Sequence, residues 1–366
     1  MDVAVAVPAP PIRPRRADLV GRMFVSPLVD YFLVGGGLSI PIFSLLYLFP
    51  ALNPVNGDIP YGFFIAINGA HFAASSVRLY TKPGARRAHP FLSWVFPILC
   101  FALVGLGLYQ PRIGGHIKAL YLTWAPFHYA AQTYGLAVMY AMRSGAQLSA
   151  RDKAQIRWVC LLPFLYAFFT TTQGGLSWFI GRSMLRSVPA FALAHMAIVR
   201  LLMVAMLLLP VSLFLQLHGR RGRSVPLISL LLQLTNALWW LGSDYLDAWF
   251  WTAVFHSVQY LIVAAVRHVD ERAAGVRPGI RAAILQGTAF YGFSLLVGCG
   301  LFLVAPSVFV LLGFSGVESY AMMTLVVNLH HFIVDGFVWR TKSRAAPHEQ
   351  RAGAVMTAAP GLRYAS

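Results

Sequence analysis

Five histidines in four apolar segments offer the most chemistry: His71 in INGAHFAASSVRLY, His128 in TWAPFHYAAQTYG, His256 in FWTAVFHSVQYL, and the adjacent His330 and His331 in VVNLHHFIVDGFVWR. An ionisable side chain in hydrocarbon costs on the order of a few kcal/mol. Four segments that accept this cost at a similar level point to a shared polar centre. Neutral imidazole is the commonest metal ligand among side chains, so the expected chemistry is a metal site. Imidazole ligands with one carboxylate suit iron, copper or zinc better than magnesium or calcium.

Each histidine has polar company at helical spacing. Asn68 precedes His71 by three residues, Gln132 follows His128 by four, and Gln259 and Tyr260 follow His256 by three and four. Asn328 precedes His331 by three, and Asp335 follows it by four. Residues three and four apart share a helix face, and metal-bound imidazoles need such neighbours to fix their tautomers. The expected ligands are His71, His128, His256 and one or both of His330 and His331. Asn68, Gln132, Gln259 and Asn328 are expected to orient them. Tyr260 is expected to supply a proton or to stabilise an oxygen intermediate. Asp335 is expected to act as a ligand, an acceptor for an imidazole N–H or a proton relay, with an ion pair to Arg340 as the alternative. His195 lies at a shallower level near Arg200 and reads as peripheral, while Asn236 sits among aromatics beside Trp239 and Trp240.

The elements that must position these residues follow from composition. The chain has 366 residues, 58% hydrophobic and 11% charged, with a mean hydropathy of +0.65. Soluble domains carry about 25% charged residues, so the expected fold is all-α, a polytopic membrane helix bundle. At about 20 apolar residues per span, ten spanning helices are expected, roughly at 27–50, 60–80, 91–110, 119–142, 157–174, 189–216, 225–242, 247–267, 284–305 and 319–340. Residues 1–25 read as a disordered basic cytoplasmic tail without the apolar core of a signal peptide. Residues 26–341 form the transmembrane helical domain, and 342–366 a second disordered tail.

Loop charges set the orientation. Arg13, Arg15, Arg16 and Arg22 precede the first span. Lys82, Arg86 and Arg87 follow the second, and Arg143, Arg151 and Lys153 the fourth. Arg220, Arg221 and Arg223 follow the sixth, Arg272, Arg277 and Arg281 the eighth, and Lys342 and Arg344 the tenth. The intervening loops are poorer in positive charge, the exceptions being Arg112 with Lys118 and Arg182 with Arg186. The positive-inside bias then places both termini in the cytoplasm and the protein in the cytoplasmic (inner) membrane, in contact with membrane lipids. The second, fourth, eighth and tenth helices all run inward, and their histidines lie about nine to eleven residues from the outer end. At 1.5 Å per residue they share a level.

The net charge of +17 does not indicate nucleic-acid binding, because the basic residues are spread over short inter-helix clusters. Cys100, Cys160 and Cys299 stand alone in apolar stretches. Without CxxC or CxxCH, a zinc ribbon, a Cys-ligated iron–sulfur cluster and covalent haem lose support.

The strings AHFAASS, FHSVQYL and LHHFIVDGFVWR resemble motifs of the Brp/Blh-type membrane carotene dioxygenases, bacterial proteins that cleave β-carotene to retinal. That family has HF followed by small residues and an Asp, an HS-x-x-H-F string, and H-x-x-x-x-D before an aromatic-basic end. His71-Phe72, His256-Ser257 and His330 with Asp335 stand in the corresponding places. The chain departs from the pattern elsewhere. SPLVDYF offers Asp30 where the family has P-H-G-x-x-D, serines replace the Asp after HF, and Tyr260 replaces the second His of HS-x-x-H-F. His128 with Gln132 is this chain's own contribution. The resemblance covers about 40 residues and implies an iron oxygenase without fixing its substrate.

The expected function is therefore a metal-dependent membrane oxidoreductase, with non-haem iron (copper or zinc as alternatives) and a lipophilic substrate such as a carotenoid, isoprenoid, quinone or acyl lipid. The redox partner is not specified by sequence. Two other classes stand beside it. One is an electron-transfer protein with b-type haem between two histidines. The other is a transporter with a polar midplane site, for which the VGGGLSIP break in the first span is the sequence cue.

Overall fold

The structure, a computed structural model, describes residues 19–53, 61–219, 225–273 and 279–338. The expected tail at 342–366, Arg340, and most of the tail at 1–25 lie outside these residues. No β-strand occurs among the described residues. The main helices are α1 (Ser39–Leu48), α2 (Ala70–Thr81), α3 (Phe96–Tyr109), α4 (Pro111–Arg143), α5 (Ala150–Thr170), α6 (Pro189–His218), α7 (Leu227–Tyr245), α8 (Trp249–Arg272), α9 (Ile280–Cys299), α10 (Ala305–Leu311) and α11 (Gly316–Val338). Helical structure occupies each of the ten stretches expected from hydropathy.

Among the described residues, four helical stretches are long and apolar enough to cross a membrane: Phe91–Tyr109, Pro189–His218, Trp249–Arg272 and Ile280–Leu311. Trp249–Arg272 buries most of its apolar window, and the other three expose most of theirs. The other helices that carry the candidate ligands, α2, α4 and α11, are not among the four.

The chain packs as two compact units. Among the described residues, unit 1 takes those up to 68 and from 118 to 267, and unit 2 those from 69 to 117 and from 268 onward. In unit 1, α5 and α6 pack along each other and α7 packs on both. Tyr166, Met206 and Ala237 form the core between them. α5 begins with a reciprocal cap in which Ser149 accepts from Asp152 N and the Asp152 carboxylate accepts from Ser149 N, satisfying two otherwise unpaired N–H groups. A second core gathers Phe43, Leu46, Trp239, Ala248 and Phe255, with Tyr129 packed against it.

The glycines of VGGGLSIP break the first apolar stretch. A π-helical turn at Val29–Val34 ends there, and Gly36 takes φ +73°, where a side chain would be strained. A Cβ at Gly36 would also lie 2.8 Å from the Trp239 ring. Side chains take up the carbonyls that the break releases. Gln259 Nε2 donates to Val34 O, Thr235 Oγ1 to Gly35 O at 2.9 Å, and Ser39 Oγ to Gly36 O at 2.6 Å. Such re-satisfaction is what non-helical backbone requires away from water.

In unit 2, α2 packs against α9 and α11, and α3 lies along α11. Leu79, Ala85, Leu92 and Val334 form a core there. Buried Arg78 pairs with Glu271 at 3.2 Å, and Lys82 approaches the same carboxylate at 3.7 Å. The backbones of α9 and the start of α2 meet at glycine: a Cβ at Gly298 would lie 2.7 Å from the Gly69 carbonyl. Backbone cannot yield as a side chain does, so Gly298→Ala is expected to force α9 off α2. The expected cost is about 1–3 kcal/mol, read as a lower midpoint in thermal unfolding of the purified protein.

Candidate metal centre

Unit 1 brings together His128 of α4 and His256 of α8. Both are buried, and their rings meet edge-on with centroids 5.2 Å apart. Each offers a ring nitrogen, and these lie within 4.8 Å of each other. Tyr129 stacks flat on His256, with centroids 3.7 Å apart and planes 11° from parallel. Trp240 lies against the same tyrosine at 5.6 Å. The stack fixes the imidazole plane, and so the direction in which its in-plane nitrogen lone pair points.

Unit 2 brings together His71 of α2 and His331 of α11. Both are fully buried, and their ring centroids are 4.4 Å apart. Ser75, one turn after His71, places its Oγ 3.0 Å from His331 Nδ1. An Asp335 carboxylate oxygen lies within 4.8 Å of a His331 ring nitrogen. Phe72 flanks both rings, at 5.0 Å from His71 and 5.8 Å from His331.

Each unit thus holds a pair of buried imidazoles, to which unit 2 adds the Asp335 carboxylate. Histidine groups of this kind could hold a metal ion, and such donors suit a transition metal. A hydroxyl or a stacked ring supports an imidazole in each unit, as ligating histidines require.

The other expected residues fall in different places. His330 is turned away from His331 and stacks on Phe96, with centroids 5.1 Å apart and planes 13° from parallel. Successive residues on an α-helix leave the axis roughly 100° apart, so the adjacent pair cannot face one point together. Gln132 donates to Gln259 Oε1, and Gln259 donates onward to Val34 O. These glutamines hold the broken first stretch and do not orient an imidazole. Asn68 accepts from Ser257 Oγ at 2.6 Å, and Asn328 donates to Thr324 O of its own helix at 2.7 Å. Tyr260 is buried one turn beyond His256. His195 Nε2 lies 2.9 Å from Phe169 O, in keeping with a peripheral role. Asn236 is buried. Asp30 accepts from the backbone N–H groups of Phe24 and Val25, so it secures the segment before the first helix.

Sequence reasoning missed Tyr129 and Ser75. Ser75 had a signal, since it stands four residues after His71 on the same face. Tyr129 had none, because its ring meets a histidine 127 positions away. Comparison with known proteins finds no matching protein family, no matching curated protein and no matching solved structure.

Proposed function

We propose that this chain is a metal-dependent oxidoreductase of the cytoplasmic membrane that acts on a lipophilic substrate. Its ten helices span the bilayer with both termini in the cytoplasm. Its ligands are His128 and His256 in unit 1 and His71 and His331 in unit 2, and its metal is non-haem iron, with copper or zinc as the alternatives. The observation that carries the reading is the pairing of buried imidazoles within each unit, between helices far apart in sequence. Ionisable side chains are costly to place away from water, and a metal-binding role accounts for their gathering in both units. The membrane setting draws support from the exposed apolar faces of three long helices, since soluble surfaces rarely carry contiguous patches beyond a few hundred Å².

When bound, iron or copper would supply the one-electron and O₂ chemistry that side chains lack; zinc would act only as a Lewis acid. The chain's own residues hold and orient. Ser75 engages Nδ1 of His331, Tyr129 sets the plane of His256, and the surrounding apolar residues exclude water. Asp335 accepts a proton or completes the ligand set, and Tyr260 donates a proton. Ring centroids of 4.4 and 5.2 Å leave no gap for a porphyrin between the members of either pair, which favours an ion over b-type haem. The transporter reading loses its cue, because side chains already occupy the carbonyls freed at the glycine break.

The test is metal analysis by mass spectrometry, with an optical spectrum, on the purified full-length protein. Near-stoichiometric iron, copper or zinc without a Soret band is expected, falling to trace in His256→Ala. Trace metal in the native protein, unchanged by the substitution, would sink the reading.

A further inference from the structure

Unit 2 contains a cavity of about 310 Å³ between α2, α3, α9 and α11. Its inner wall is formed by buried aliphatic residues, among them Val77, Val104 and Val326, and Tyr80, Phe101 and Phe293 are its exposed aromatic members. No Asp, Glu, Lys or Arg occurs among the described residues that line it. His330 is in that wall, its ring held flat against Phe96. The other polar groups in the wall are the Ser76 hydroxyl, the Tyr80 hydroxyl, which is committed to Ser93 O, and the Cys100 thiol, a weak donor.

The volume lies at the small end of ligand sites, roughly 300–1,000 Å³. A charge-free apolar wall gives an anionic or cationic headgroup nothing to replace its hydration, but it suits hydrocarbon. A single imidazole in such a wall can exchange a hydrogen bond with one neutral oxygen. We propose that this cavity holds the hydrocarbon chain of a neutral, oxygen-bearing lipid, with a hydroxyl or carbonyl of that lipid hydrogen-bonded to His330. That this lipid is the substrate rests on the proposed function; that the cavity binds it does not. His330 then has a use that its neighbour lacks: His331 faces His71, while His330 holds the lipid one residue away along α11.

The test uses the full-length protein in phospholipid nanodiscs and a long-chain fatty alcohol carrying a mid-chain diazirine. After irradiation, adducts are mapped by peptide mass spectrometry. Adducts are expected to concentrate on the segments around Cys100–Val104 and Val326–His330 and to be competed by unlabelled alcohol. Val297→Trp, which fills the cavity from α9, is expected to lower that labelling about tenfold, and Cys100→Trp does the same from α3. His330→Leu is expected to weaken competition by the alcohol about tenfold, the effect of one lost hydrogen bond, and to leave competition by the matching alkane unchanged. A phospholipid with the same diazirine in an acyl chain should label the exposed face of α6 and spare the cavity. Uniform alcohol labelling insensitive to both tryptophans, or equal labelling of the cavity by the phospholipid, would overturn the proposal. Metal content is read on the same samples. Loss of the metal reading with cavity labelling intact refutes the proposed function alone, and the reverse result refutes only the cavity.

Discussion

Alanine at His331 is expected to strip the protein of its metal, whereas alanine at His330, the adjacent residue, is expected to leave it in place. The two side chains share a helix, a depth and a chemistry, so composition and hydropathy do not separate them. Packing does: His331 is fully buried against His71 and Ser75, and His330 stacks on Phe96. Removing a supporting partner of a bound imidazole already weakens metal binding by about 10–100-fold, and removing the ligand takes away the coordinate bond itself. Metal in His331→Ala should therefore fall to trace while His330→Ala keeps the native stoichiometry. Mass spectrometry of the two variants, purified side by side, decides it. Equal losses, or the opposite order, would exclude His331 as the ligand.

The second large effect concerns stability. Gln259→Leu removes the donor to Val34 O and the acceptor from Gln132 in one step. Val34 ends the π-helical turn before the glycines, so its carbonyl has no helical turn ahead to bond. Each buried polar group left unpaired costs about 1–3 kcal/mol, and the double loss should lower unfolding stability by about 2–5 kcal/mol. Denaturant titration in detergent measures it. The folded fraction is expected to keep its metal, since Gln259 bonds backbone and another amide. Loss of metal without loss of stability would instead return Gln259 to the role of orienting an imidazole.

The glutamines illustrate where local spacing stops being informative. Gln132 and Gln259 each sit on the histidine-bearing face of a helix, and spacing alone suggests that they serve those histidines. The carbonyl that claims Gln259 is 225 residues away, and it needs a donor only because three glycines interrupt the first apolar stretch. A sequence window around His256 contains neither fact. Ser75 shows the opposite case. Its place one turn after His71 is visible in the sequence, yet its importance lies in bonding His331, 256 positions on.

The sequence by itself determined that the described chain is helical, where its helical stretches run, and that buried histidines would lie among polar neighbours at three- and four-residue spacing. Those properties follow from backbone hydrogen bonding and side-chain periodicity, which act within a few turns. Only the tertiary structure decided that His128 pairs with His256 and His71 with His331, that Tyr129 and Ser75 support them, and that His330 turns to an apolar cavity. Each of these depends on how a helix is rotated about its axis and which helix lies beside it. Packing among residues remote in sequence sets both.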